Sequence, residues 1–287
     1  MKKLFQRGIF PVFKDNKTSK EQLLQWIRLS LYFEKPEIRP GSLFLQSVPR
    51  WFENYETGVI AVGFGLHARS LAAIGRYWKH DWIVNAIIGK QTADFRSESP
   101  LIAQHKYEHI TSELVQTTLN KYVGQIEQIS LPKVALKHKY KNDQISLLIN
   151  DSSNEHLDSE ECFSMIHDSI EHENVGNHPI IREKNCHSIE LLEMDDNKLR
   201  IRVQSDGIFS CRALVRDIGI ELGCHAVVDS LQLNQVGPFT IDQALPKHEL
   251  HLEQIEQSIA QHMNKCERYI DEMKQLYPSA KPNLRFI

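Results

Sequence analysis

The order of apolar and polar residues along the chain follows the two-residue period of a strand in some stretches and the helical period of about 3.6 residues in others. Residues Gly8–Lys14 alternate and are rich in β-forming side chains, which predicts a strand. Thr18 or Ser19 is then placed to cap a helix that continues through Leu31, with apolar residues at helical spacing. The chain is therefore expected to open as strand, turn and helix.

The same patterns predict the elements that follow. Strands are predicted at Gly58–Gly63, Trp82–Ile88, Leu199–Val203 and His225–Asn234, and helices at about Leu66–Trp78, Glu108–Tyr122, Cys211–Leu222 and Leu252–Leu276. In the helix predicted at Glu108–Tyr122, the apolar face is expected to be Ile110, Leu114, Leu119 and Val123. In the helix predicted at Leu252–Leu276, it is expected to be Ile255, Ile259, Met263, Ile270 and Met273. The elements show no internal repeat and no strict βαβ order, which predicts an α+β fold in which helices pack on a mixed sheet.

Composition and charge change this picture in one respect. The 287 residues are 41% hydrophobic, enough for a sizeable core, and no apolar run approaches the length of a membrane helix, so we expect a soluble protein that does not enter a membrane. The net charge of −3 hides an uneven distribution: residues 1–40 hold nine Lys and Arg against four Asp and Glu, and residues 133–141 are also basic. Residues 151–200 hold thirteen acids against four bases and are expected to be a solvated excursion.

Signatures of metal and cofactor sites are missing from the sequence. The five cysteines are scattered without a C-x-x-C pair and are read as reduced thiols, and the histidines between 156 and 187 match no zinc spacing. Gly63-Phe64-Gly65 completes neither a dinucleotide fingerprint nor a P-loop. If the chain is an enzyme, we expect it to act through its own acid, base or nucleophile, with no cofactor and no metal.

Two linked segments are far more specific. Arg212-Ala213-Leu214-Val215-Arg216-Asp217-Ile218-Gly219 is followed by a strand and then by Val236-Gly237-Pro238-Phe239. This arrangement resembles the TruB family of pseudouridine synthases. Further similarity lies in the opening strand that ends at Lys14 with the following Thr18-Ser19, in Gly58–Gly63, in the Gly89–Phe95 turn, and in Gly124-Gln125-Ile126-Glu127-Gln128 with Leu131-Pro132. The match runs from about Gly8 to Leu252 and fits poorly at about 140–195.

The resemblance implies a fold, an activity and a set of residues. It implies the pseudouridine synthase fold, with a mostly antiparallel mixed sheet, and isomerisation of uridine to pseudouridine in an RNA whose target base is flipped out. The family reaction needs an aspartate, an arginine that holds it and an aromatic residue against the base. These positions fall on Glu53, Arg212 and Trp82, so the aspartate and the family tyrosine are both replaced. The basic zones become expected RNA contacts, namely Lys14, Lys17, Lys20, Lys133, Lys137 and Lys139.

The two replacements leave two hypotheses open. In the first, the chain is an active synthase in which Glu53 acts for the aspartate, although one extra methylene moves a carboxylate by roughly 1–1.5 Å and errors of about 1 Å can cost on the order of 10²-fold in rate. In the second, the chain is a catalytically inactive RNA-binding member of the family, because the indole of Trp82 has no hydroxyl to relay a proton. A mixed-sheet domain unrelated to RNA is the third, structural alternative.

The resemblance also suggests an organisation and a location. Residues 1–250 are expected to form the catalytic-type domain, with a divergent acidic region at about 140–195, and residues 251–287 a C-terminal helix and tail, without a PUA domain. The branch that looks most similar is the animal mitochondrial messenger-RNA synthases, and the basic residues among the first seven are compatible with import into that organelle. The expected partner is RNA, with mitochondrial messenger-RNA or tRNA-like uridine sites, and protein partners are unknown.

Overall fold

The computed structural model describes residues 7–36, 44–50, 52–129 and 181–278. The strands are β1 (Arg7–Lys14), β2 (Leu45–Val48), β3 (Thr57–Phe64), β4 (Lys79–Ile88), β5 (Lys90–Thr92), β6 (Leu101–Gln104), β7 (Gly124–Ile129), β8 (Ile181–Asp195), β9 (Lys198–Asp206), β10 (Ala226–Val236) and β11 (Phe239–Thr240). The helices are α1 (Lys20–Glu34), α2 (Gly65–Ile74), α3 (Ser112–Asn120), α4 (Cys211–Glu221) and α5 (Leu252–Leu276), with short 3₁₀ turns at Gly75–Tyr77, Ile241–Gln243 and Lys247–Glu249.

Most of the described strands join one mixed, mainly antiparallel sheet in the order β1-β3-β10-β4-β9-β8-β7. The pair β3 and β10 is parallel, whereas the other neighbours along this order are antiparallel. Strands β2 and β11 pair with β3 and β10, and β5 and β6 form a separate small sheet. This arrangement confirms the predicted α+β fold with a mixed sheet.

The apolar pattern places the core on the sheet. Strand β3 is buried along almost its whole length, as expected for a central strand covered on both faces. Helix α5 buries Ile255, Ile259 and Ile270 in the same core, so the long amphipathic helix predicted at Leu252–Leu276 is confirmed with its bounds. Met263, which was expected on that buried face, is only partly buried against it. The division of the chain near residue 250 stays a prediction.

Two predictions about local structure are wrong. Helix α3 is shorter than predicted, because the Thr111 side chain caps it by accepting from the Leu114 N–H. Leu114 and Val123 are exposed, and the buried face consists of Val115, Thr118 and Leu119. Ile110 and Leu119 of the predicted face are buried as expected, whereas Leu114 lies on the exposed side and Val123 lies beyond the end of the helix.

The acidic stretch at residues 151–200 also differs from its prediction in the part that the structure describes, residues 181–200. Residues 181–200 form β8 and the start of β9 rather than a solvated excursion. The acidic side chains of β8 are exposed, whereas Lys184, Cys186 and Ile189 of the same strand are buried. Residues 151–180 lie outside the described ranges. The charge composition led to a wrong prediction, because a strand with one face exposed to solvent can carry carboxylates on that face.

Candidate active site

The loop that carries Glu53 ends where β3 begins beside β10. Gly58 pairs with Leu233 of β10, which in turn lies opposite Trp82 of β4. Gly58 has a φ of 125°, and a Cβ at this position would lie 2.2 Å from the Leu233 carbonyl oxygen. Only glycine fits such a backbone conformation and such a close approach. Gly58 thereby lets the end of the Glu53 loop approach the backbone of β10 closely.

Residues Glu53–Glu56 form a compact turn within this loop. The Glu56 N–H donates to the Glu53 carbonyl at 3.2 Å, and the Glu53 N–H donates to the Glu56 carboxylate at 2.6 Å. Burial raises the pKa of Glu56 to about 7, against the lowering effect of the Glu53 N–H donor. The turn is thus closed both by its backbone and by a side chain.

Arg212 reaches the turn from the first turn of α4. Ser210 caps this helix by accepting from the Ala213 N–H at 3.2 Å, and Gln128 holds Ser210 by donating to its carbonyl and accepting from its N–H. The Arg212 guanidinium donates to the Glu53 carboxylate at 3.1 Å and to the Asp94 carbonyl at 3.3 Å. The Arg212 side chain is 11% exposed and that of Glu53 35%, so the pair lies at the edge of the core and opens to solvent on the carboxylate side.

Trp82 is close to this pair but covered. It is 5% exposed, and the ring of Phe52, the neighbour of Glu53 in the chain, stacks on it at 5.9 Å between centroids and 24° between planes. The indole N–H is buried and has no hydrogen-bond partner within the described part of the chain. The structure therefore brings Glu53 and Arg212 into contact, and it stacks Trp82 on Phe52, the residue that precedes Glu53.

The lysines predicted to bind RNA have different surroundings. The Lys14 side chain is 1% exposed, and its ammonium donates to the carbonyls of Asp15, Asn54 and Glu56 at 2.9, 3.0 and 2.7 Å. Burial lowers the pKa of Lys14. This position ties the Glu53 turn to the end of β1 instead of presenting the charge to a phosphate, so the structure gives Lys14 a different place from the expected one.

The remaining predicted RNA contacts divide into two groups. Lys17 is exposed at the turn after β1, whereas Lys20 is largely covered, donates to the Arg50 carbonyl and lies 3.6 Å from the Glu21 carboxylate. Lys133, Lys137 and Lys139 lie outside the described residues. Binding of RNA by these lysines stays a prediction.

Two residues of the turn escaped the sequence analysis. The Tyr55 ring lies under the Arg96 guanidinium, 4.0 Å from its centre, and burial raises the pKa of Tyr55 well above its usual value. Glu56 supplies a second carboxylate beside Glu53. Neither residue stands at a position that the family resemblance marks, and their roles depend on how the turn closes, so no sequence pattern pointed to them.

The arrangement can present one oriented carboxylate to a ligand. A guanidinium that donates to a carboxylate fixes the direction of that carboxylate. Among the described residues, no group of three or more His, Cys, Asp or Glu could hold a metal ion. No described helix is long and apolar enough to cross a membrane.

Comparisons with known proteins give this geometry a context. No family model matches the chain. It is 28% identical over 194 residues to tRNA pseudouridine synthase B of Parabacteroides distasonis, covering 68% of this chain and 72% of the relative. It is 27% identical over 259 residues to pseudouridylate synthase TRUB1 of Mus musculus, covering 88% and 70%. Another tRNA pseudouridine synthase B, from Dehalococcoides mccartyi, is 25% identical over 189 residues, covering 66% of this chain and 55% of the relative.

Solved structures share the fold at lower identity. Cbf5 in an archaeal box H/ACA sRNP complex with Nop10 superposes with a TM-score of 0.53 at 14% identity, covering 94% of this chain and 59% of that chain. A Cbf5–Nop10–Gar1 complex gives 0.56 at 15% identity, covering 95% and 60%. The chain thus shares the fold of these solved structures and is similar over most of its length to pseudouridine synthases named tRNA pseudouridine synthase B and TRUB1.

Proposed function

We propose that the protein isomerises uridine to pseudouridine in RNA, with Glu53 as the carboxylate of the reaction. The observation that carries the proposal is the contact of 3.1 Å between the Glu53 carboxylate and the Arg212 guanidinium. The sequence alone made the extra methylene of glutamate an objection to activity. The turn supports activity in spite of the longer side chain, because the Glu53 carboxylate meets the arginine from this backbone position.

The reaction needs only groups that this site supplies. The bond from C1′ to N1 breaks, a bond from C1′ to C5 forms, and the proton on C5 is lost while N1 gains one, so no oxidant, reductant or cofactor enters the balance. Glu53 supplies the carboxylate and Arg212 orients it. Trp82 stands at the position that the family uses against the base, and Phe52 must move aside before a flipped base can reach its covered face.

The test is chemical mapping of pseudouridine after the purified protein is incubated with a uridine-containing RNA. Wild type is expected to form pseudouridine and Glu53→Ala to form none. RNA binding by both proteins is measured alongside, so that loss of product is not confused with loss of substrate. Equal signals from wild type and Glu53→Ala would overturn the proposed role of Glu53.

A second function is favoured by one observation, the burial of Trp82 under Phe52 without a partner for its indole N–H. In that case the protein binds RNA without modifying it. RNA affinity should then fall with salt, because contacts to phosphates release counterions. A protein that binds RNA with a clear salt dependence and forms no pseudouridine matches this function, and a log–log slope near zero excludes it.

The place of action is a separate proposal. The basic residues among the first seven and the resemblance to mitochondrial messenger-RNA synthases support the mitochondrion and messenger RNA as location and substrate. Fractionation of cells that express a C-terminally tagged chain tests it. Tagged protein found outside mitochondria would contradict it.

A further inference from the structure

Glu56 occupies a position in the site that the reaction scheme does not use. Its carboxylate is one of two in the turn, three residues after Glu53, and the residue is only partly exposed. Its backbone takes part in two further hydrogen bonds, donating from its N–H to the Glu53 carbonyl and accepting at its carbonyl from the Lys14 ammonium at 2.7 Å. Glu56 is therefore connected at three points, two of them to Glu53.

We propose that Glu56 is a positioning residue: its carboxylate fixes the backbone of Glu53 and so determines where the carboxylate of Glu53 lies. This inference rests on the proposed function and adds a second carboxylate to the same site. The 2.6 Å contact runs from the Glu56 carboxylate to the N–H of the residue that bears the reacting group. A charge-assisted hydrogen bond of this kind is stronger than a neutral one and restricts the backbone dihedral angles at Glu53.

A contact that fixes the backbone of Glu53 is needed because the glutamate side chain is longer than that of aspartate. The longer side chain of Glu53 has one more rotatable bond than aspartate, so the position of its carboxylate depends more strongly on a fixed backbone. Arg212 fixes the far end of the side chain at 3.1 Å, and Glu56 fixes the near end. Together the two contacts leave the Glu53 side chain a narrow range of positions.

Because Glu56 can gain or lose a proton, its hydrogen bond with the Glu53 N–H is expected to depend on pH. Its carboxylate is a better acceptor when ionised, and burial raises its pKa to about 7. The charged and titratable groups around it are Lys14, Lys20, Glu53, Tyr55, Cys211 and Arg212. The rate of the chemical step is therefore expected to rise as the pH passes upward through about 7, because the ionised form of Glu56 holds the Glu53 N–H more firmly.

The experiment compares Glu56→Ala with Glu56→Gln in single-turnover pseudouridine formation on a uridine-containing RNA. Glu56→Ala removes the acceptor and should lower the rate of the chemical step by about 10²-fold, since a displacement of about 1 Å can have that effect. Glu56→Gln keeps an acceptor oxygen of the same reach and should recover most of the rate, without the rise near pH 7. RNA affinity should be unchanged in both variants, and Glu272→Gln, at an exposed glutamate of α5, serves as the control.

The outcomes separate this inference from the function on which it rests. No pseudouridine from wild type overturns both. Product from wild type together with an unchanged rate in Glu56→Ala overturns the positioning role alone, and so does a pH profile of Glu56→Gln that retains the wild-type rise. If Glu56→Ala does not fold, the pH profile of Glu56→Gln decides, because a purely structural role would leave that profile unchanged.

Discussion

Replacing Glu53 by aspartate, the residue of the family, should lower activity rather than improve it. The Glu53 carboxylate now lies 3.1 Å from the Arg212 guanidinium. Shortening the side chain by one methylene withdraws the carboxylate by about 1–1.5 Å, which takes the pair to about 4.5 Å and beyond hydrogen-bond range. The turn cannot simply advance to compensate, because Lys14 and Glu56 hold it to β1 and to itself.

The expected magnitude follows from this displacement. A misplacement of about 1 Å can cost on the order of 10²-fold in rate, which corresponds to a rise of about 3 kcal/mol in the activation barrier. The assay is single-turnover pseudouridine formation at saturating protein, with RNA affinity measured separately. Glu272→Asp, a change of the same size on the exposed side of α5, should leave the rate as it is.

One result would refute the reasoning. If Glu53→Asp reacts as fast as wild type or faster, then the turn does not set the position of the carboxylate, and the contact with Arg212 is not what makes glutamate acceptable. A large loss of rate accompanied by an equal loss of RNA affinity would also count against it, because the displacement argument concerns only the reacting group.

Four further outcomes test other parts of the structure. Arg212→Lys should lower the rate by about 10²-fold without changing RNA affinity, because an ammonium cannot donate at once to the Glu53 carboxylate and the Asp94 carbonyl with the geometry of the guanidinium; a rate close to wild type would contradict it. Lys14→Met should lower the free energy of unfolding by about 2 kcal/mol in urea denaturation, since three carbonyls lose their donor; an unchanged midpoint would show that these bonds do not stabilise the turn. Burial lowers the pKa of His80 to about 3, so between that value and about 6.5 the unfolded chain binds a proton that the folded chain does not, and stability is lost as the pH falls. The loss due to His80 should be about 2 kcal/mol at pH 5 and should vanish in His80→Phe; identical pH slopes for the two proteins would exclude it. Lys17→Ala should weaken RNA binding on all sequences alike and reduce the salt slope by about 1, measured by fluorescence anisotropy; an unchanged slope would remove Lys17 from the interface.

Local patterns were sufficient for elements whose stability and limits come from nearby residues. The start of α1, which Ser19 caps as one of the two predicted cap residues, the periodicity of α5 and the strand β3 were all predicted, since each depends on contacts within a few residues or on burial of one continuous face. The patterns failed for α3, where the cap at Thr111 displaced the predicted start, and for β8, whose acidic residues obscured a half-exposed strand.

The site divides in the same way. The sequence by itself carried the resemblance to the TruB family and pointed to the arginine at 212 and the glutamate at 53, because linked motifs and their spacing are properties of the chain. Only the tertiary structure decided that these two residues meet, although 159 positions separate them. It also decided that Lys14, 42 positions from Glu56, is buried against the turn rather than open to RNA. The physical reason is that burial and hydrogen bonding belong to whichever groups the fold brings together, and a side chain's type does not reveal its neighbours.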